Sequence, residues 1–186
     1  MRLFTEEVKV PEELDEKVSK LVGVPKTYSI AVESLIFDSS LQWVLHKRGP
    51  GCRDEIGKLE GIGGSYSNDD EDFPTALKRK LVEKVGADAE IDILKFFEAK
   101  LDTLISTTGE KRHWIIASYI CLFKSGKLKI GEPEMNSGFI FLPFGSIGLS
   151  TLSSSTKSAL ASLQKEWVEV RALLEGAIGR NHEQVL

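Results

Sequence analysis

The stretch "RKLVEKVG", Arg79 to Gly86, holds the residues most suited to chemistry. Arg79 and Glu83 stand four apart, and Gly86 follows three residues later. On a helix, positions three and four apart share a face, so residues 80, 83 and 84 present their side chains together. A carboxylate on such a face is the hard oxygen donor that Mg²⁺ takes. Here the one carboxylate, Glu83, is flanked by Lys80 and Lys84, whose ammonium groups repel a divalent ion and pair with the carboxylate themselves. The stretch is therefore the remains of a metal-binding helix, a site that works differently, or a charged surface.

The elements that must position this stretch are readable around it. Phe73, Leu77, Leu81 and Val85 recur every four residues and predict an amphipathic helix over 73–85. Asp70, Glu71 and Asp72 precede it, where carboxylates suit the positive end of the helix dipole, and Gly86 is a natural stop. Upstream, 49–72 is rich in Gly and Asp and includes the pair Gly63–Gly64; a loop of that length inside a domain is functional or disordered. Strand patterns cover 28–38, 41–48, 89–101, 113–124 and 139–144. A helix starting near Pro11 and a last helix over 156–175 flank them, the latter with Leu160, Leu163, Trp167 and Val170 on one face. Strands, a central helix, more strands and a terminal helix suggest an α+β or α/β sandwich with a mixed sheet.

Composition narrows the class. The chain has 186 residues, 41% hydrophobic and 28% charged, which suits one domain with additions at its ends. The net charge of −4 argues against a nucleic-acid polymer as partner. Cys52 and Cys121 form no CxxC, which points to free thiols and a reducing, cytoplasmic setting. No apolar run approaches the ~18 residues of a membrane span, and the acidic N-terminus lacks the apolar core of a signal peptide.

With the register written out, the chain resembles the Nudix family. That family's box reads Gly, five residues, Glu, seven residues, Arg-Glu, an aliphatic residue, any residue, Glu-Glu, any residue, Gly, an aliphatic residue. Glu71, Arg79, Leu81, Glu83 and Gly86 match in register. Four positions depart: one extra residue separates Gly64 from Glu71, Lys80 and Lys84 replace glutamates, and Ala87 stands at the last aliphatic position. The strands of 27–48, "GKLEGIGG", "HWIIASYICLF" and "GEPEMNSGFIFLPF" resemble the family's order of elements.

The resemblance implies a Nudix-like α/β/α sandwich with a mixed sheet over 27–150, an N-terminal extension of 1–26 and a C-terminal helix within 151–186. It implies a pyrophosphohydrolase acting on a nucleoside diphosphate linked to another moiety, with Mg²⁺ or Mn²⁺ as cofactor. Glu83 would be the catalytic residue and a metal ligand, with Glu134 as a further ligand. Glu60, Asp69, Asp70, Glu98 and Glu132 lie on segments expected to border the pocket. Arg48, Gly63, Gly64, Lys80 and Lys84 would contact the diphosphate, the lysines as point charges. Glu71 and Arg79 would pair to brace loop against helix, and Gly86 would end the helix. The two Glu-to-Lys departures keep a second reading open: a non-catalytic module that binds a nucleotide or phosphate. His113, His182 and Cys52 have no partner at a spacing that suggests chemistry, and Trp167 on the last helix leaves room for a homodimer.

Overall fold

The computed structural model describes residues 28–67, 69–106 and 108–183, with side chains described to 180. The helix expected near Pro11, and the side chain of His182, lie outside the described residues. The elements are β1 (Ser29–Phe37), β2 (Gln42–Arg48), β3 (Leu59–Glu60), β4 (Ile62–Ser65), α1 (Phe73–Val85), β5 (Ala89–Ile105), β6 (Lys111–Gly126), β7 (Asn136–Pro143), a single 3₁₀ turn (Leu149–Thr151), α2 (Ser154–Lys165) and α3 (Trp167–Glu183).

Period-two alternation along β1 builds the layers. Ile30, Val32 and Ile36 bury against α1, whose stripe of Phe73, Leu77, Leu81 and Val85 is buried as the four-residue spacing predicts. Leu35 and Phe37 point the other way and pack with Trp43 and Leu45 against Leu160, Leu163, Val170 and Leu174 of α2 and α3. The result is an α/β/α sandwich. Its sheet is mixed: β1 pairs parallel with β6 and antiparallel with β2 and β4, while β5 pairs antiparallel with β6. The strand order is β3-β2-β1-β6-β5, with β4 on β1 and β7 on β2. Near Phe37, β1 pairs with β2; near Val32, it pairs with β4 instead. That divergence opens the sheet on one side.

One expectation changes: the last helix is two helices, broken at Glu166. Trp167 then starts α3 and stacks on Phe144, with ring centroids 3.8 Å apart, beside Phe37 at 5.4 Å. It serves the core while staying partly exposed.

Gly63 is where the sheet constrains the sequence most tightly. A Cβ there would stand 2.0 Å from the Val32 carbonyl oxygen, so β1 and β4 pair only because residue 63 has no side chain. Gly63→Ala should lower stability by roughly 1–3 kcal/mol, as overpacking does. A thermal midpoint unchanged within a degree would show that the two strands can part at no cost.

Candidate functional site

The site is built where the loops after β2 and β4, the helix α1 and the loop before β7 converge. Asp72 caps α1, its carboxylate accepting from the Thr75 N–H at 2.7 Å. The preceding turn is closed by Asp70, whose Oδ2 accepts from the Ser67 N–H at 2.8 Å. Arg79 reaches back from the helix to this turn. Its guanidinium donates to Asp70 through Nε at 2.8 Å and Nη2 at 2.5 Å, and to Glu83 through Nη1 at 2.9 Å. The brace between loop and helix is thus Arg79–Asp70. Glu71, expected in that role, is exposed. The reason is in the count: five residues separate Asp70 from Gly64, the spacing of the family's acidic residue, and the extra residue falls between it and Arg79. Counting forward from the glycine, instead of back from the arginine, would have found it. Hydrogen bonds from Arg79 hold the Asp70 carboxyl below the usual range.

Glu83 is fully engaged. Its Oε1 accepts from Arg79 and its Oε2 from Lys80 at 2.7 Å. Burial pushes its carboxyl up, but Lys80 and Arg79 outweigh that and hold it below the ordinary value. The stem of Lys80 crosses β4 over Gly64, where a Cβ would meet its Cδ at 2.9 Å. Lys84 pairs with Glu132, which ties the loop before β7 to the helix; the Gly131 N–H donates to the Lys84 carbonyl at 3.2 Å. Gly86 ends the helix at φ 83°, a left-handed conformation that glycine adopts freely, and its N–H donates to the Val82 carbonyl.

A cavity of about 310 Å³ adjoins the two lysines, lined by Arg48, Glu60, Gly63, Gly64, Lys80, Lys84 and Glu132, and by a wall of Ala31, Ile116, Leu104, Trp114 and Met135, with Glu83 outside the lining. The sheet, the glycine loop and the helix thus bring all five of the expected substrate-contacting residues to one place. Arg48 lines the cavity with its donors committed: it pairs with Asp54 and Glu60, and its Nε donates to the Asp54 carbonyl at 3.1 Å. Burial raises the Glu60 carboxyl, yet the bond from His46 and the charge of Arg48 leave it below the ordinary value. Glu134 is exposed and contributes its carbonyl, which accepts from the Gly51 N–H at 2.7 Å; the acidic side chain facing the cavity from that loop is Glu132. Glu98 lies away from the cavity, bonded by Ser162 at 2.6 Å and raised by burial. Asp69 stays in the turn beside Ser67. His113 bonds Thr103 across the β5–β6 ladder at 3.0 Å. Both cysteines are buried free thiols, Cys52 donating to the Met135 carbonyl. Among the charged lining residues, sequence reasoning missed Glu33 on β1, Arg53 and Asp54 on the loop after β2 and Arg112 on β6. Of these, the exposed Arg53 and its neighbour Asp54 lay in the stretch read as a functional or disordered loop.

The donor set does not fit Mg²⁺ on the helix face. A hard divalent ion needs several oxygen ligands, and this face offers one carboxylate whose two oxygens already accept from cations. No cluster of three or more His, Cys, Asp or Glu suited to a metal occurs among the described residues.

The fold that surrounds this cavity is the Nudix fold. A MutT protein from Methanosarcina mazei Go1 superposes with a TM-score of 0.62 at 16% identity, over 77% of this chain and 98% of that one. A MutT NUDIX hydrolase from Burkholderia pseudomallei matches with a TM-score of 0.58 at 19% identity, over 74% and 99%. The NUDIX domain of Shewanella oneidensis NrtR, solved in complex with ADP ribose, matches with a TM-score of 0.57 at 17% identity, over 82% and 97%. No family model and no curated protein matches the chain in sequence. Among the described residues no helix is long and apolar enough to cross a membrane.

Two outcomes test the geometry. Asp70→Asn should cost about 2 kcal/mol at pH 7, the worth of hydrogen bonds to a charged group, while Glu71→Gln stays within ~0.5 kcal/mol. Because the folded pKa of Asp70 is depressed, its contribution is full above the unfolded value of about 3.9 and is lost as pH falls through the folded value. Urea unfolding at pH 7 and at pH 2 should therefore show the gap between the original chain and Asp70→Asn closing in acid. Separately, Lys80→Glu with Lys84→Glu should create Mg²⁺ binding on α1, read by calorimetry; unchanged metal affinity would mean the face is not open to an ion.

Proposed function

We propose that this Nudix-fold protein binds a nucleotide or another diphosphate-containing small molecule, and that Lys80 and Lys84 hold the diphosphate without a metal ion. One observation carries the reading: the two ammonium groups line the cavity beside Gly63 and Gly64, where the resemblance puts metal-binding carboxylates, and the remaining Glu83 is occupied by Arg79 and Lys80. A diphosphate entering the cavity exchanges Glu83 and Glu132 for its own oxygens as partners of the two lysines, and charge-assisted hydrogen bonds of that kind are the strong ones. Gly64 leaves room for the Lys80 stem to cross the strand beside the cavity. Arg53 adds an exposed cation at the rim. The bound ADP ribose of the NrtR domain supports a ligand of nucleotide type in a cavity of this fold. A reducing, cytoplasmic setting suits the two free thiols.

Metal-dependent pyrophosphohydrolysis is the second reading. It is favoured by neighbours described as hydrolases and by Glu33, Glu60 and Glu132 in the same lining.

Calorimetry in the presence of EDTA separates the two. ADP or ADP ribose should bind without added metal, and Lys80→Ala or Lys84→Ala should each weaken binding about tenfold, the effect of one charge-assisted contact. Release of a nucleoside monophosphate that requires Mg²⁺ or Mn²⁺ and disappears in Glu83→Gln would replace this reading with hydrolysis.

A further inference from the structure

Glu33 is the residue of the cavity that the fold accounts for least. It sits in the middle of β1, 5% exposed, on the strand face that carries Leu35 and Phe37 into the apolar core. A carboxylate there costs stability unless it is paired. Oxygen Oε2 is paired: the Ser118 hydroxyl donates to it at 3.0 Å and the Lys100 ammonium stands at 3.5 Å. Lys100 is itself 8% exposed and donates to the Ser155 carbonyl at 2.7 Å, which fixes it at the start of α2. Oxygen Oε1 has no partner. It lies over Gly61, 2.6 Å from where a Cβ would stand. A buried lysine and a buried serine thus hold a carboxylate at the edge of the cavity and leave half of its accepting capacity unused. Packing does not ask for this, since an aliphatic residue would extend the face of Leu35 and remove the need for Lys100.

Strand register says what part of a ligand comes to Glu33. Glu33 is opposite Gly63 on β4, one residue from Gly64, over which the stem of Lys80 crosses, and Glu33 and Lys80 line the same cavity. On its other side it is opposite Ser118 of β6. Ile116 and Trp114 follow two and four residues along β6, roughly 7 and 13 Å away at the rise of a strand, and with Ala31 they make the apolar wall. From the cations to the wall, the order is phosphate, then a hydrogen-bonding group, then a flat apolar group. A nucleoside diphosphate has its sugar in the middle place.

We propose that Glu33 is a specificity-determining residue: it accepts a hydrogen bond from a sugar hydroxyl of the ligand, with the base against Ala31, Ile116 and Trp114. This rests on the diphosphate-binding reading above and adds to it a selection for ribose over a sugar that lacks the 2′- and 3′-hydroxyls. The terminal torsion of a glutamate is broad and roughly two-fold, so the carboxylate turns toward the cavity without a change of rotamer, keeping Lys100 on one oxygen and giving the other to the ligand.

The test is calorimetry in EDTA with each common nucleoside diphosphate and its 2′,3′-dideoxy counterpart. The ribose form should bind about tenfold more tightly than the dideoxy form, the effect of one hydrogen bond to a charged group. In Glu33→Ala combined with Lys100→Met, which strands no ammonium, the two forms should bind alike. The comparison of ligands on the unaltered chain decides the matter even where that variant fails to fold. Equal affinity for both forms in the unaltered chain overturns the assignment and leaves diphosphate binding standing. So does a preference that follows the base amino group, adenosine over inosine diphosphate, and ignores the hydroxyls. If no nucleoside diphosphate of either sugar binds, the diphosphate reading falls and this one falls with it.

Discussion

Asp70, Arg79, Glu83 and Lys80 form one chain of alternating charge from the turn before α1 to the middle of the helix. Each link fixes the next. Asp70 closes its own turn through Ser67 and so presents both oxygens to Arg79. Arg79, held at one end, orients Glu83, and Glu83 draws the Lys80 ammonium down along Gly64. The chain positions the glycine loop against the helix, and it commits both oxygens of Glu83 to cations. A carboxylate with an arginine on one oxygen and a lysine on the other is a brace. To serve as a metal ligand it would have to give up two cations at once, and each of those is partly shielded from water, where screening is weaker than at an open surface.

The fold was largely legible because its signals are local and periodic. The stripe of α1 and the alternation of β1 come from burial on one side, which any amphipathic element must show. Less legible was what depends on contacts distant in sequence. The break between α2 and α3 comes where Trp167 meets Phe144, a residue outside both helices, and nothing in the pattern of 154–183 announces it. The β5–β6 hairpin runs to Ile105 and Lys111, past the expected ends, and its outer part brings Leu104 and Arg112 to the cavity. The candidate site was readable to the extent that it lies on the box. Glu33 was hidden because a single acidic residue in a strand of otherwise apolar character carries no spacing, and its partners Ser118 and Lys100 are supplied from β6 and β5. The pairing of Arg79 with Asp70 in place of Glu71 was hidden for a different reason: two adjacent acids satisfy two different counts, and only the turn geometry chooses between them.

Charge balance then separates the fold from the chemistry it carries elsewhere. A helix face with three carboxylates repels a diphosphate and binds it only through metal ions that bridge the two. On this helix Lys80 and Lys84 oppose Glu83, so the sign of the face is reversed while the backbone that carries it is unchanged. The reversal is supported on both sides. Glu132 neutralises Lys84 from the loop before β7, and Glu83 neutralises Lys80 from the helix itself. Both lysines thus sit in the cavity without stranding an unpaired charge, which would cost far more than the pairs return. Both can exchange a carboxylate partner for a phosphate oxygen at small net cost. That exchange is the physical content of the proposed function: the cations are built into the helix, so a ligand need bring no metal with it, and its affinity depends on how well it replaces Glu83 and Glu132.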